Sequence, residues 1–289
     1  MGAYEPGVTL INRLRPAPLE SLGSLLERLR VANHYQERRW LDGVLGRRQD
    51  RPEVLRQEQD VQRLGVLTGL EREELIGLTL HRFAPWYGVD RRVGRPLPAG
   101  VVYLAVPLWP DIGGGKNTRE IPAVCPVCWG EQAVILLPWW LHHLTACPRH
   151  LTLLRQRCAG CDAPLRLVAG QAGCGHCGTA IAAMATRSLA EEPDGVELSG
   201  LLWQATGCLE GASPVEGLTV AAVAGGHPLQ RWGTPALLTG LWGSAQTQVA
   251  GDGGPRLQGR EIVEVHEALG AAWRLLRAGP TQGQVAAST

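Results

Sequence analysis

The sequence predicts a mainly α-helical protein interrupted by small knuckle-like β elements, and three observations carry that prediction. Leucines recur at helical spacing in the N-terminal third, seven of the eight cysteines fall between Cys125 and Cys177, and the composition turns Ala- and Leu-rich after Thr186. The organisation that follows is an N-terminal helical, helix-turn-helix-like domain over 1–92, a double zinc-binding region over 93–185, a C-terminal helical domain over 186–278 and a disordered tail over 279–289.

Leu22, Leu25, Leu26 and Leu29 repeat at i, i+3, i+4 and i+7, the spacing of one buried helix face, with Ser21 as N-cap and Asn33-His34 as the exit. Between Gln36 and Glu53 the chain is polar, and Trp40, Leu41, Val44 and Leu45 suggest a short helix. The arginines at 38, 39, 47, 48 and 51 read as solvated surface before they read as phosphate contacts. Asp60–Leu70 and Glu71–Leu80 are two helical patterns separated by Thr68-Gly69, with Gly69 in the left-handed position, Leu70 between the helices and Leu75, Leu78 and Leu80 facing the core. A DNA-reading helix would bring its first turn to the bases, but that turn carries Glu71, Glu73 and Glu74 against Arg72. The pair therefore reads as a packing unit. Residues 84–124 are rich in Pro and Gly, with a strand-like run at 101–106 and a surface loop, Gly113–Lys116, that lacks the phosphate-loop context.

The cysteines come as Cys125-Pro-Val-Cys128, Cys147-Pro-Arg-His150, Cys158-Ala-Gly-Cys161 and Cys174-Gly-His-Cys177. A two-residue gap lets both side chains of a knuckle face one ion, and Zn2+ takes four Cys or His ligands in structural sites. Sequential pairing gives a Cys125, Cys128, Cys147, His150 quartet and a Cys158, Cys161, Cys174, Cys177 quartet, with interleaved pairing as the alternative. Both are coordinatively complete, so the two zincs are read as structural. A disulfide framework would go with a secretory leader, and Met1–Arg15 has no apolar stretch of the needed length. Gly130 and Gly178 suit tight knuckle turns, His176 points away from the metal, and Cys208 is a small buried hydrophobe. Trp139–Leu144 reads as a short helix entering the Cys147 knuckle, and Leu151–Arg157 as a link carrying basic residues beside Arg149.

Beyond Thr186, Leu198, Leu201, Leu202, Ala205 and Leu209 mark one helix, and Leu237, Leu238, Leu241 and Trp242 a second. Ile262, His266, Leu269, Trp273 and Leu276 mark a third, with His266 as a satisfied core histidine. Gly251–Gly259 is a loop.

With 45% hydrophobic residues each part can bury a core, and a net charge of +1 argues against non-specific electrostatic binding to nucleic acid as the main task. No run of eighteen apolar residues appears, and the need for reduced thiols points to the cytoplasm. No paired carboxylates, nucleophile–base set or open metal site can be named, so no catalytic residue is expected.

Several stretches together resemble the TniQ/TnsD family of transposition-targeting proteins. They are Pro18-Leu-Glu-Ser-Leu22 with Ser24-Leu-Leu26, Leu67-Thr-Gly-Leu70 with Glu74-Leu75, Cys125-Pro-x-Cys128, Trp140, Ala146-Cys-Pro-x-His150 and Cys158-x-x-Cys161 with Pro164-Leu165. The family's usual Pro-Gly-Glu stands here as Pro18-Leu19-Glu20. The resemblance implies a non-enzymatic adaptor that connects a target-recognition device to an AAA+ ATPase, TnsC or TniB. In the shorter members of CRISPR-associated transposons that device is a guide-RNA effector such as Cascade, so target DNA is met through the assembly, by a homodimer or a single copy. TnsD-like members instead bind a DNA site themselves. The modest length, near-zero charge and acidic turn favour the RNA-guided class, with a TnsD-like DNA binder second and an unrelated zinc-ribbon transcription or repair factor third.

Overall fold

Helix α1 (Leu22–Ala32) begins where Ser21 Oγ accepts the Ser24 N–H at 3.3 Å, and its Leu22, Leu25, Leu26 and Leu29 are all buried. The computed structural model describes residues 10–37, 40–45, 52–53, 55, 57–87, 122–141, 144–205 and 262–278. The expectations for Arg38, Arg39, Arg47, Arg48, Arg51, residues 101–106 and 113–116, Cys208, Leu209, the helix at 237–242, the loop at 251–259 and the tail lie outside the described residues.

Helices α2 (Trp40–Leu45), α3 (Glu58–Thr68) and α4 (Arg72–Gly77) close on α1, and Leu41, Val44, Val61, Leu64, Leu67, Leu70, Leu75 and Leu78 form one core with its leucines. Gly69 ends α3 at φ +72, where a side chain would be strained, and its N–H bonds Gly65 O at 2.8 Å. Leu70 and Leu75 are buried as their spacing predicts. The exit of α1 is pinned by a reciprocal pair, Asn12 N–H to Asn33 Oδ1 at 2.9 Å and Asn33 Nδ2 to Asn12 O at 2.8 Å.

Glu20 joins this bundle to the rest. Its carboxylate is fully buried and accepts from Ala17 N (2.9 Å), Ser24 Oγ (2.8 Å) and Arg28 (2.6 Å), enough donors to offset its desolvation. The turn before it places Leu19 at φ +59, in the left-handed region where a glycine is the easier occupant. A leucine there costs about 1–2 kcal/mol, which its contact with the second core offsets. From this turn the backbone pairs with the segment after Gln132: Ser21 N–H to Ile135 O at 2.8 Å and Leu137 N–H to Leu19 O at 2.7 Å.

The second core begins at Leu80 and Phe83 and runs through α5 (Pro126–Gln132), the short hairpin β1 (Ala146–Cys147) and β2 (Thr152–Leu153), α6 (Pro193–Ala205) and α7 (Ile262–Ala278). The region around the cysteines and the two C-terminal helices thus share one hydrophobic cluster, with Trp129, Trp139 and Trp273 nearly inaccessible. His266 on α7 is buried and shares a 2.8 Å hydrogen bond with Thr145 Oγ1, as expected of a satisfied core histidine.

Two local expectations are corrected. The helix read over Trp139–Leu144 is a 3-10 turn at Leu137–Trp140 that ends with Leu141 extended, because Pro138 starts the turn early. Leu151–Arg157 is more than a link: β2 lies in it, and Arg155 exchanges two 2.8 Å backbone bonds with Val124. No helix among the described residues is long and apolar enough to cross a membrane.

A Cβ built on Gly23 would overlap the buried Glu53 carboxylate, whereas one on exposed Gly43 meets nothing. Gly23→Ala should therefore lower stability by about 1–3 kcal/mol, and Gly43→Ala should raise it by about 0.5–1 kcal/mol. Urea unfolding followed by circular dichroism reads both, and equal effects would contradict the packing described.

Burial holds His81 and His266 below the usual histidine range; the His81 Nε2–H bond to Leu55 O (3.0 Å) only partly opposes this, and around His266 Glu192 and Glu267 oppose it while Arg187 adds to it. The folded pKa values are depressed, so the unfolded chain takes up protons first. Stability should fall as pH drops below about 6.5. The loss should be shallower in His81→Gln, which keeps a donor for Leu55 O, when denaturant midpoints are compared from pH 7.5 to 5.5.

Candidate metal centres

Each quartet is built from two short backbone devices. In the first, Cys125 precedes α5 and Pro126 occupies its first turn, so Cys128 follows one helical turn later on the same face. Cys147 ends β1, and the turn to β2 carries His150, with Leu151 at φ +49 reversing the chain. In the second, Asp162 (φ +55) and Gly178 (φ +75) each follow a Cys-x-x-Cys pair, and their N–H groups bond Cys158 O at 3.0 Å and Cys174 O at 2.8 Å. The Gly160 and His176 amides point at the Cys158 and Cys174 sulfurs at 3.3 and 3.4 Å, the knuckle bonds that favour thiolates. Gly178 thus serves a turn as predicted. Gly130 does not: it lies inside α5, and its missing Cβ makes room for Ala182, which would stand 3.1 Å away.

The ligand atoms of Cys125, Cys128, Cys147 and His150 lie within 4.8 Å of one another, as do those of Cys158, Cys161, Cys174 and Cys177. The chain therefore assembles sequential, not interleaved, quartets. All seven described cysteines are free thiols. Cys128 and Cys147 sulfurs are 3.7 Å apart, Cys158 and Cys177 3.6 Å, Cys161 and Cys174 3.9 Å. A tetrahedron with metal–sulfur bonds of about 2.3 Å has edges of about 3.8 Å, and a sulfur–imidazole edge is about 3.6 Å. His150 Nδ1 stands 3.5, 3.2 and 3.6 Å from the sulfurs of Cys125, Cys128 and Cys147. The spacing fits one four-coordinate ion per quartet and is far too long for disulfides.

Proton sharing within the quartets points the same way. Hydrogen bonds from Cys128 and Cys147 hold Cys125 far below a free thiol, and their bonds to Cys125 push Cys128 well up and Cys147 up to about 12. The Thr179 hydroxyl, 3.1 Å away, leads in bringing Cys177 down to about 6, and the amides of Cys177 and His176 lower Cys174. Cys161 is pulled down most by the Ala163 amide, yet its bonds with Cys177, Cys158 and Cys174 prevail and bring it up to about 12. Each quartet so mixes stabilised thiolates with thiols whose protons a divalent cation would displace.

The two centres differ in setting. Cys125, Cys128 and Cys147 are buried, whereas Cys161 is half-buried and Cys177 exposed. The first is also tied to the C-terminal helices: Ser199 Oγ and Trp203 Nε1 both donate to Ala146 O, at 3.1 and 3.0 Å, next to Cys147. Two neighbours that the Cys and His spacing did not flag complete it, Thr152 with its hydroxyl 3.6 Å from Cys125 Sγ and Glu131 with its carboxylate 3.2 Å from His150 Nε2. The position of Glu131, one helical turn after Cys128, was the available signal.

Residues 12–154 match the model of the TniQ family. The match takes in the four-helix bundle and the whole first quartet and ends before the second. No curated protein matches the chain.

Cys128→Ala should cost one bound ion and open the hairpin together with α6 and α7, whereas Cys161→Ala should cost the other ion and loosen only the turns around 158–179. Elemental analysis of metal-replete protein, expected to give two zinc ions per chain for the unaltered sequence, and amide exchange across Ala146–Leu153 check both.

Proposed function

Because the stretch 12–154 belongs to the TniQ family, whose domain is non-catalytic and transposition-associated, we propose that this protein is a transposition-targeting adaptor linking an RNA-guided effector on target DNA to an AAA+ regulator of the TnsC/TniB kind. Two structural zinc ions hold its shape, Cys125, Cys128, Cys147 and His150 binding one and Cys158, Cys161, Cys174 and Cys177 the other. In this reading it turns over no substrate and works in the cytoplasm, where a guide-RNA complex of the Cascade type and the ATPase are its partners.

The observation that carries the choice of adaptor over autonomous DNA reader is the surface of α4. That helix has only six residues, and Arg72 in its first turn is held by Glu58 at 2.6 Å and Glu73 at 2.8 Å. Glu74 takes Arg15 at 3.4 Å and the Glu71 N–H at 2.8 Å. The Arg72 hydrogen bond lowers Glu58, so the face stays anionic. A duplex approaching it would meet carboxylates and an arginine already engaged, the reverse of what phosphate contacts require. Arginines near the metal centres are likewise occupied: Arg149 pairs with Glu131 at 2.7 Å, Arg155 donates to Ala185 O at 2.7 Å, and Arg157 donates to Asp162 O at 2.9 Å. Such side chains support DNA weakly, which suffices when partners raise the local concentration.

At physiological salt the isolated protein should bind duplex DNA weakly and without sequence preference, and targeted insertion should need effector and ATPase together. Titration of random and attachment-site duplexes measures the first, and reconstituted insertion with each component withheld measures the second. Nanomolar binding to one site by the protein alone would replace the adaptor with a TnsD-like site binder.

A further inference from the structure

His150 presents Nδ1 to all three sulfurs of the first quartet, so a metal held there takes the Nδ1 lone pair and the ring proton must sit on Nε2. Among the described residues the acceptor beside that proton is Glu131 Oε1, at 3.2 Å. The other carboxylate oxygen is held by Arg149 at 2.7 Å, so the carboxylate is fixed in orientation. All the parts belong to the two knuckles themselves: Glu131 lies on α5 one turn beyond Cys128, and Arg149 directly precedes His150. We propose that Glu131, oriented by Arg149, is the positioning residue that fixes the ring tautomer of His150 and so sets the metal affinity of the first centre.

The physical reason is twofold. An imidazole free to rotate or to carry its proton on Nδ1 must give up that freedom or that tautomer each time a metal binds, and a charged acceptor on Nε2 settles both beforehand. A carboxylate there also makes the ring a better donor to the cation, and losing such an outer partner lowers metal affinity by about 10–100-fold. The second centre has no imidazole among its four ligand atoms, so the effect is confined to the first. This inference rests on the reading of the quartets as zinc centres.

The test uses the full chain loaded with zinc, or with cobalt for spectroscopy, and competition with a chelator of known affinity. Glu131→Ala should weaken one of the two metal equivalents by about 10–100-fold and leave the other unchanged. Glu131→Gln, which keeps a neutral acceptor, should lose less, and Arg149→Ala less again. Imidazole nitrogen NMR of the zinc form should find the His150 proton on Nε2, with the signal broadened or shifted in Glu131→Ala while circular dichroism stays the same. Unchanged affinity in Glu131→Ala would make Glu131 a surface ion pair only and overturn the proposal. Unaltered protein that binds a single zinc, at the second quartet, would sink the two-zinc reading along with it, a result distinct from the first because it appears before any substitution.

Discussion

Four side chains spread over residues 125–150 can meet within 4.8 Å only if a helix start and a hairpin turn are held face to face, and that convergence is the constraint on which the surrounding structure depends. The hairpin has just two residues in each strand, too few to persist alone in water. It is fixed because Cys147 ends its first strand and His150 sits in its turn, because Val124 and Arg155 pair beside it, and because Ser199, Trp203 and His266 bind Thr145 and Ala146 from the C-terminal helices. An ion taken up by the first quartet would act on the same few residues as core burial, and each would keep the entropy cost of the other's ordering low.

The two centres therefore contribute differently. The first is a hub, with buried sulfurs and helices packed on its hairpin. The second closes a peripheral pair of turns, in which Asp162 and Gly178 take left-handed conformations and Cys177 reaches solvent. The family match ends between them, which fits a first centre integral to the bundle-plus-knuckle unit and a second that extends it.

The N-terminal bundle and the knuckles meet through the Pro18-Leu19-Glu20 turn. Glu20 is buried with a full set of donors, and Leu19 accepts an unfavourable backbone conformation at the point where two cores meet. Ser21 and Leu19 share backbone bonds with Ile135 and Leu137 just past α5, so this turn ties the helical bundle to the segment that follows the first Cys-x-x-Cys pair. On α3 and α4, Arg72 pairs with Glu58 and Glu73, and Arg15 reaches Glu74.

What the sequence determined by itself was whatever depends on residues close in the chain. Leucine spacing located α1, α3 and α4, Gly69 located the break between them, and Cys-x-x-Cys and Cys-x-x-His spacing located both quartets, because a knuckle and a helix turn are local geometries. Trp139–Leu144 and Leu151–Arg157 were misread because a proline and a long-range pairing with Val124 overrode local pattern. Only the tertiary structure decided that the quartets assemble in sequence order, that Gly130 serves packing against Ala182, and that Glu131 meets His150. It also decided why glycine is the easier residue at position 19, since φ is set there by the junction of two cores and not by the neighbouring residues.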